Sequence, residues 1–307
     1  MSAINLKYPM LSICIPIYNH DVSKLAKSLQ KQADQLDIDA ELLLLDDASA
    51  PAYQKRNREL NQITGIQYEE LDKNVGRSRI RNILSDKASG SHILFMDCDT
   101  LVTHDDYLAM YAREIPKAQV VCGGHVYDDK PADPKYLLHW TVGSSREVRS
   151  ALGRQKRPYH SFMTGNFMIA RKVMQKIRFR EDLQGYGHED TMFGYELKKH
   201  HIPVKHIENP LLHTGLEDAD SFLKKSRESI INLMKSWEMT GHDMAYAQMV
   251  TILENYLRYK HYKLFWPLKL AAPRIRMVTE KNLRGESPKM WVFDLYKLCH
   301  LHWYETK

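Results

Sequence analysis

The chain has 307 residues, with 43% hydrophobic and 27% charged residues, as is ordinary for a folded globular protein. This length suits one large α/β domain, or a domain with an appendage. No apolar run approaches the roughly 18 residues of a spanning helix, and the N-terminus MSAINLKYPM lacks the layout of a secretory signal. The four cysteines show no C-x-x-C spacing, which argues against a zinc site or a disulfide framework. We therefore expect a cytoplasmic protein.

The net charge of +6 is unevenly distributed along the chain. From Lys224 onward bases outnumber acids, and residues 256–276 mix bases with aromatic and aliphatic side chains. Such a mixture suits an anionic membrane surface or a nucleic acid, although a solvated face beside a packed one is the commoner explanation. Peripheral attachment to the inner face of the cell membrane is therefore a hypothesis, and we expect no nucleic acid partner.

The first predicted elements alternate between strand and helix. Met10–Ile17 is β-rich, and residues 21–36 carry apolar side chains at the spacings of three and four that are typical of an amphipathic helix. Glu41–Leu45 is almost wholly apolar, as in a strand buried on both faces. Strand, helix and strand within about 35 residues form a βαβ unit, whose strands should be parallel.

The same pattern repeats in the next thirty residues. Ile66–Leu71 is a candidate edge strand, Gly76–Ser89 a helix with a basic first turn, and Ser91–Met96 another buried strand. We therefore predict a doubly wound, mainly parallel sheet with flanking helices. Ligands of such sheets bind at the carboxyl ends of the strands.

Three of the predicted strands end in polar clusters, which should meet along one edge of the sheet. These clusters are Tyr18–His20 after the first strand, Asp46 and Asp47 after the second, and Asp97 and Asp99 after the third. An isolated D-x-D is by default a turn former or a helix cap. After a buried strand, beside two further polar strand ends, it is stronger evidence for a ligand site.

The ligand that suits this edge is a diphosphate held through a divalent cation. The chain has no G-x-G-x-x-G or Walker lysine loop, so the usual dinucleotide and P-loop sites lack their main signature. Two carboxylates one residue apart can address one hard cation and a neighbouring sugar. Four bases between the second and third strands could neutralise further phosphate charge: Lys73, Arg77, Arg79 and Arg81.

The first hundred residues contain four motifs, which in chain order are Ile13-Cys-Ile-Pro-Ile-Tyr-Asn, Leu45-Asp-Asp-Ala-Ser, Lys73-Asn-Val-Gly-Arg-Ser-Arg-Ile-Arg-Asn and Met96-Asp-Cys-Asp-Thr. Together these motifs resemble an inverting glycosyltransferase of family 2 with the GT-A fold. Ala48 stands where the family usually has the glycine of D-D-G-S. This difference leaves both carboxylates in place and affects only the geometry of the turn.

The resemblance implies roles for individual residues. Seven of them would bind the nucleotide-sugar: Pro16, Tyr18, Asp46, Asp47, Arg77, Arg81 and Asp97. Pro16 and Tyr18 would line the nucleobase pocket, and Asp47, with Asp46 as its close competitor, would hydrogen-bond the base. Arg81 would contact the nucleotide and Asp97 the ribose or donor sugar. Asp99 would ligate the cation, Mn²⁺ or Mg²⁺, which would neutralise the departing diphosphate.

The second half of the chain contains candidates for a base and an acceptor site. Gly185 and Gly187 break the backbone just before Glu189 and Asp190, which should lie at a helix N-terminus, where the dipole favours the ionised form. Simple helix capping would explain the two acids if they stood alone. Phe162–Arg171 is a small-residue turn that runs into an apolar strand.

Gly185-Tyr-Gly-His-Glu-Asp resembles the G-W-G-x-E-D motif of galactosyl- and N-acetylgalactosaminyltransferase-type enzymes. The resemblance implies that Asp190 is the catalytic base that deprotonates the acceptor hydroxyl and that Glu189 holds the acceptor. Tyr186, in the place of the usual Trp, would stack on a sugar. We also predict that Asn166 binds the acceptor.

His213 follows another short apolar segment. A lone histidine after a strand is more often an ordinary polar residue than a metal ligand. Its position after the E-D motif, however, matches that of the histidine that completes the metal site in related transferases. We therefore predict His213 as a second metal ligand, in preference to His200, His201 and His206.

The character of the chain changes after about residue 218. Ser221–Met239 and Met244–Leu264 carry apolar residues at helical spacing, Trp266-Pro267 and Ala272-Pro273 should interrupt the next stretch, and Met290–Tyr304 is aromatic-rich. We expect a GT-A catalytic domain over residues 1–218, with a nucleotide-sugar half (1–103) and an acceptor half (104–218). A C-terminal helical extension would cover residues 219–307.

The function predicted from the sequence is a hexosyltransferase. It would move galactose, N-acetylgalactosamine, glucose or N-acetylglucosamine from a UDP-sugar to a hydroxyl of a glycan or lipid-linked saccharide, in surface polysaccharide or glycolipid synthesis. A sugar-nucleotide-forming nucleotidyltransferase would usually have a Gly-rich basic loop where this chain has Tyr18-Asn19-His20-Asp21. A non-catalytic carbohydrate-binding protein would not need both D-x-D and E-D. Asp105 and Asp106 are predicted to cap a helix beginning near Tyr107.

Overall fold

The computed structural model of the chain describes residues 10–261 and 266–305 and, in the second of these segments, the side chains from Arg274 onward. These residues contain ten strands: β1 (Leu11–Ile17), β2 (Ala40–Asp46), β3 (Ile66–Glu70), β4 (His92–Met96), β5 (Thr100–Val102), β6 (Val120–Cys122), β7 (His125–Tyr127), β8 (Asn166–Ala170), β9 (Lys205–His206) and β10 (Leu211–His213).

The same residues contain thirteen α-helices and two short 3-10 helices, Arg58–Gln62 and Pro134–Tyr136. The α-helices are α1 (Ser23–Ala33), α2 (Pro51–Asn57), α3 (Arg77–Lys87), α4 (Tyr107–Ala112), α5 (Leu137–Arg146), α6 (Ala151–Gln155), α7 (Arg171–Lys176), α8 (Glu189–Lys199), α9 (Ala219–Met239), α10 (Met244–Ala247), α11 (Thr251–His261), α12 (Trp266–Leu283) and α13 (Met290–Glu305).

Seven strands form one sheet in the order β3-β2-β1-β4-β8-β6-β9, with β3 at the edge as expected. Strands β1 to β4 are parallel, whereas β8 runs antiparallel to both of its neighbours. A second sheet has the order β5-β10-β7. The predicted doubly wound, mainly parallel sheet with flanking helices is confirmed.

The central strands are buried on both faces, which explains why their sequences are apolar without alternation. Side chains of alternate residues point to opposite faces, so Ile13 and Leu94 enter one hydrophobic cluster, while Cys14 and Phe95 enter another across the sheet. Phe95 stacks on Phe167 of β8, with ring centroids 5.2 Å apart. Each such buried side chain contributes about 1.5–3 kcal/mol of transfer free energy, so the sheet gives the strand ends a rigid base.

Helices α9 to α13 form the predicted C-terminal helical region. Ile230 and Leu233 of α9 and Leu253 of α11 share a cluster with Leu183 and Met192, so this region packs directly on the segment that leads into α8. Among the described helices, none combines the length and the apolarity that crossing a bilayer requires.

Three predictions about helix limits need correction. The expected helix over Met244–Leu264 is divided into α10 and α11, and residues 262–265 lie outside the described part of the chain. The expected interruption at Ala272-Pro273 is wrong, because α12 runs through this site, whereas Trp266 is the first residue of α12. Pro267 falls in the first turn, where a proline costs a helix no hydrogen bond.

The third correction concerns the cap of α4. This helix begins at Tyr107 as predicted, but Asp106 makes no side-chain capping bond. Its Oδ1 lies 2.8 Å from Nδ1 of His104 instead.

Candidate active site

A cavity of about 320 Å³ lies beside the carboxyl end of β4. Its lining includes seven of the residues predicted from the sequence: Arg77, Asp97, Asp99, Tyr186, Glu189, Asp190 and His213. The first three come from the donor half of the chain and the other four from the acceptor half. The fold therefore brings the D-x-D and E-D motifs to one cavity although about ninety residues separate them.

Asp97 is held in place by Arg81. Nη2 of Arg81 donates a 2.6 Å hydrogen bond to Oδ1 of Asp97, and Nη1 donates to the carbonyl oxygen of Arg77. Burial opposes ionisation of Asp97, but the guanidinium groups of Arg81 and Arg77 outweigh burial and lower the pKa of this carboxyl. Asp97 is therefore ionised at neutral pH. The Arg81 side chain is only 2% exposed, so its predicted contact with the nucleotide is replaced by this contact with Asp97.

Asp99 lies beside His213 because strands β5 and β10 are paired. The antiparallel register sets His213 opposite Thr100, the residue after Asp99. Nδ1 of His213 lies 3.9 Å from Oδ1 of Asp99, and Nε2 of His213 is buried with no hydrogen-bond partner among the described residues. The other three histidines considered are not in the lining of this cavity.

The chemistry of Asp99 and His213 fits a divalent cation. A carboxylate oxygen and an imidazole nitrogen are both ligands that Mn²⁺ accepts. Nε2 of His213 has no hydrogen-bond partner among the described residues, so this nitrogen is free to bind a cation. Within the described residues, no group of three histidine, cysteine or acidic side chains is arranged to hold a metal. A cation at this cavity would therefore take its further ligands from a bound substrate or from water.

Glu189 and Asp190 open helix α8, as predicted. Gly187 precedes them with φ +89°, and a side chain there would approach Oγ of Ser229 to 2.7 Å, so both the conformation and the close packing require glycine. Oδ1 of Asp190 accepts a 2.6 Å hydrogen bond from the Thr191 amide. Burial and then the charge of Glu189 raise the pKa of Asp190 to about 6. Burial and the charge of Glu189 thus outweigh the expected effect of the helix dipole. The pKa of Asp190 moves closer to neutral pH, as a general base requires.

Arg77 of α3 connects the two halves of the cavity. Its Nη1 lies 3.4 Å from Oε1 of Glu189, and its guanidinium carbon lies 4.8 Å from the ring centroid of Tyr186. The ammonium of Lys225 in α9 lies 5.1 Å from the same centroid. The Tyr186 ring therefore lies against two cationic side chains, Arg77 and Lys225. Stacking of this ring on a sugar stays a prediction.

The four residues predicted around the nucleobase lie at the ends of β1 and β2. Pro16 is in β1, and Tyr18 directly follows that strand with its side chain 55% exposed. The carboxylate of Asp47 accepts hydrogen bonds from the amides of Val75 (2.6 Å) and Gly76 (3.0 Å). Burial raises the pKa of Asp47 despite these two bonds. Asp47 thereby joins the end of β2 to the turn that begins α3.

Asp46 is unsuited to the role predicted for it. Its side chain is 0% exposed, Oδ1 accepts a 2.6 Å bond from the Ser49 amide, and Oδ2 accepts from the Tyr68 hydroxyl. One oxygen is thus used inside the turn and the other by Tyr68 of β3, and the base-binding prediction for Asp46 is wrong. Ala48 in the same turn has φ +59°, so it adopts the left-handed conformation that glycine favours in D-D-G-S.

Asn166 also needs correction, because its side chain is 1% exposed and fully hydrogen-bonded. Its Oδ1 accepts from the hydroxyls of Tyr107 (2.7 Å) and Tyr111 (2.6 Å). Its Nδ2 donates to the carbonyl oxygens of Gly124 (2.7 Å) and Asn209 (2.9 Å). With every donor and acceptor in use, this amide joins β8 to neighbouring segments and is not available to an acceptor.

Histidines that the sequence analysis did not select also line the cavity. His125 is buried with its Nδ1 unpaired among the described residues, and His139 lies 5.4 Å from the His213 ring. His139 is held by the amide of Glu217, which donates to its Nδ1 at 2.9 Å. His125 follows the apolar run Val120–Cys122 closely, so the criterion of a polar group after a buried strand could have found it.

The chain is similar in sequence to validoxylamine A glucosyltransferase of Streptomyces hygroscopicus subsp. limoneus, with 28% identity over 228 residues. The match covers 64% of this chain and 49% of that protein, so the chain spans about half the length of the curated relatives it matches.

Two solved structures share the fold. Residues 1–349 of S. aureus TarS match with a TM-score of 0.54 and 16% identity, over 97% of this chain and 92% of that one. The mannosyltransferase PcManGT from Pyrobaculum calidifontis, solved with GDP-Man and Mn²⁺, matches with a TM-score of 0.54 and 13% identity, over 97% and 89%.

The family model described as glycosyl transferase family 2 matches residues 12–178, which is more than half of the chain. This span contains the D-x-D motif, the β1 and β2 strand ends and the Arg81–Asp97 pair. The chain belongs to glycosyltransferase family 2.

Proposed function

We propose that the protein is a metal-dependent, inverting hexosyltransferase that moves a sugar from UDP to a hydroxyl of a glycan or of a lipid-linked saccharide. The observation that carries this proposal is that the carboxylates of the D-x-D motif and of Glu189 and Asp190 line one cavity, in which the pKa of Asp190 is raised to about 6. We further propose that this transfer belongs to surface polysaccharide or glycolipid synthesis.

In the proposed reaction, Asp190 takes the proton from the acceptor hydroxyl as that oxygen attacks the anomeric carbon. The new bond forms as the bond from that carbon to the diphosphate breaks, and the electron pair leaves with UDP on the opposite face. Asp190 is suited to this role because a base with a pKa near the working pH is both ionised and sufficiently basic. No covalent enzyme nucleophile is needed.

Other residues of the cavity would bind and orient the two substrates. Asp97, ionised and fixed by Arg81, would accept hydrogen bonds from the ribose or the donor sugar. Arg77 would offer positive charge to the diphosphate, and Glu189 would hold the acceptor. A divalent cation, Mn²⁺ or Mg²⁺, would be held by Asp99 and His213 and would supply positive charge against the leaving diphosphate.

UDP is proposed as the nucleotide, with Pro16, Tyr18 and Asp47 near the base. TarS has been solved in complex with UDP-GlcNAc, whereas PcManGT was solved with GDP-Man, so relatives with this fold differ in the nucleotide they bind. Galactose and N-acetylgalactosamine as donor sugars rest on the resemblance of the G-Y-G-H-E-D motif.

The C-terminal helices are proposed to contact an anionic membrane surface, which would fit a peripheral location. Met277 and Val278 of α12 are 68% and 63% exposed, and the basic residues Arg274 and Lys281 lie on the same side of the helix. A variant with Met277→Ser, Val278→Ser and Lys281→Glu should sediment less with phosphatidylglycerol vesicles than the parent protein. Equal sedimentation of the two proteins would contradict membrane contact by this surface.

The enzymatic proposal is tested by release of nucleoside diphosphate from a panel of UDP- and GDP-sugars with Mn²⁺. We expect release from a UDP-hexose, stimulated by a hydroxyl acceptor and lost in Asp99→Ala and Asp190→Asn. Acceptor-dependent release that neither substitution slows would overturn the assignment of these residues.

A further inference from the structure

A second cavity, of about 670 Å³, adjoins the first. It lies between the sheet domain and helices α9, α11 and α13, and it shares Glu147, His188, Asp190 and Ser229 with the cavity of the D-x-D motif. Asp190 therefore borders both spaces. If the donor sugar occupies the first cavity, the second offers a hydroxyl group direct access to the proposed base.

Basic side chains outnumber acidic ones in the lining of this second cavity. Its ionisable lining, histidines apart, consists of four bases and three acids: Arg146, Arg149, Arg154, Lys297, Glu147, Asp190 and Asp294. Arg146 forms an ion pair with Asp294, and the Tyr127 hydroxyl donates a 2.7 Å bond to Glu147. Nη2 of Arg154 donates to the carbonyl oxygens of Gly123 and Ile207.

Two cations form no ion pair within 4 Å of an acid in the described part of the chain. Lys297 is half-buried on α13, with its ammonium 4.8 Å from the ring centroid of Phe293. The nearby acid Asp294 already pairs with Arg146. Arg149 is exposed at the edge of the cavity and has no such pair either. A partly buried ammonium whose nearby acid already pairs with another cation is only partly compensated, and a bound anion would offset the remaining cost.

The surroundings of Lys297 strengthen this interpretation. Burial and the nearby guanidinium of Arg146 lower the pKa of Lys297 to about 8 although Asp294 raises it, so two positive groups share one nearby acid. Lys297 also lowers the pKa of His188, after burial, which locates its charge near the start of α8. The excess positive charge thus lies near Asp190 and on the side of the C-terminal helices.

We propose that the second cavity binds an acceptor that carries a phosphate group, with the phosphate at Lys297 and Arg149 and the reacting hydroxyl at Asp190. This inference rests on the proposed function and adds to it the chemical class of the acceptor. A phosphate offers three acceptor oxygens and a negative charge, which match an ammonium and a guanidinium. Helix α13 thereby contributes a specificity-determining residue to a site that lies on the sheet domain.

The proposal is tested by isothermal titration with glycerol 3-phosphate and, as the neutral counterpart, glycerol. Each titration is run with and without saturating UDP and Mn²⁺. UDP should fill any phosphate site in the first cavity, so binding that remains in its presence reports on the second cavity. We expect glycerol 3-phosphate to bind in the presence of UDP at least about tenfold more tightly than glycerol. Vesicles of phosphatidylcholine with polyprenyl phosphate form a second arm, with vesicles of phosphatidylcholine alone as the neutral control. This arm distinguishes a lipid-borne phosphate from a soluble one.

Three variants locate the binding. Lys297→Gln and Arg149→Gln should each weaken phosphate binding at least about fivefold. Lys289→Gln changes a lysine just before α13 that is absent from the cavity lining, and it should bind like the parent. Arg149 is exposed, so its replacement tests the site even if Lys297→Gln impairs folding.

The outcomes separate this inference from the proposed function. If neither phosphate probe binds more tightly than its neutral control, or if both cavity variants bind like the parent, the phosphate site is refuted. Binding of UDP with Mn²⁺, and its loss in Asp99→Ala, tests the donor site independently. Failure of UDP binding would refute the proposed function. The titrations with the phosphate probes would still decide whether the second cavity binds phosphate.

Discussion

The guanidinium of Arg81 and the carboxylate of Asp97 form a 2.6 Å hydrogen-bonded ion pair at the end of β4, with the arginine almost fully buried. We expect Arg81→Met to lower the free energy of unfolding by up to about 3 kcal/mol, because it leaves a partly buried carboxylate unpaired. Urea denaturation measures this loss. Binding of UDP should weaken as well, since Asp97 would lose its fixed orientation.

A surface ion pair offers the matched control. Arg58 forms a comparable pair with Glu70, but its side chain is 61% exposed. Arg58→Met should change stability by less than about 1 kcal/mol. Equal losses in the two variants would contradict a special role of the Arg81–Asp97 pair.

The raised pKa of Asp190 predicts the pH dependence of the reaction. The base acts only when ionised, so kcat/KM should rise tenfold per pH unit up to about pH 6 and level off above it. Glu189→Gln removes the neighbouring charge that helps to raise this pKa, and it should move the acidic limb to lower pH. Asp190→Asn should lower kcat about 10²–10⁴-fold.

The control for these acids is Asp182→Asn, which changes an exposed acid that pairs with Arg180 outside the cavity. It should leave both kcat and the pH profile unchanged. An acidic limb that stays in place in Glu189→Gln would show that the limb belongs to another group.

The pairing of Asp99 with His213 predicts the response to metal. Removal of divalent cations with EDTA should abolish sugar transfer, and Mn²⁺ should restore it. His213→Ala should raise the Mn²⁺ concentration for half-maximal activity at least about tenfold, because losing a ligand or its support typically costs 10–100-fold in metal affinity. His200→Ala, at the end of α8, serves as the control and should titrate like the parent.

The amide of Asn166 predicts a large effect on stability. Asn166→Ala removes four hydrogen bonds from buried groups of β8 and its neighbours, so we expect a loss of about 3–5 kcal/mol in urea denaturation. Asn61→Ala is a useful comparison, since Asn61 is exposed and, among the described residues, its side chain bonds only to the backbone of Tyr68. Similar losses in both variants would contradict the structural role of Asn166.

The conformation of Ala48 predicts that glycine is better at this position. In the left-handed region an alanine side chain costs about 1–2 kcal/mol, of which the greater freedom of glycine in the unfolded chain offsets part. Ala48→Gly should therefore raise stability by about 0.5–1 kcal/mol. Ala52→Gly, in helix α2, should lower it, and the two thermal midpoints should move in opposite directions.

Much of the fold was predictable because its central strands are unusually simple in sequence. The apolar runs of β1, β2 and β4 stop at the polar groups that mark the strand ends, and the amphipathic spacing of α1 identifies the helix between β1 and β2. The antiparallel insertion of β8 between β4 and β6 could not be predicted in the same way, because the order of strands depends on long-range pairing.

The site was predictable where position along a strand or helix decides it. Asp97, Asp99, Glu189 and Asp190 all lie at such ends. The side chains of Arg81 and Asn166 were misjudged because their partners are distant in sequence, so a motif reveals that a polar group is present and not which atoms it binds. His125 was missed although the strand-end criterion applied to it.

The pairing of β10 with β5 sets a limit on evolutionary change in this segment. Side chains alternate between the faces of a strand, so one inserted residue between Leu211 and His213 would turn the imidazole away from Asp99 while leaving every residue type intact. Surface loops tolerate such insertions, but this short strand should not. We therefore expect relatives to tolerate substitutions in β10 more readily than insertions or deletions. The length of this strand, and not only its sequence, then matters for function.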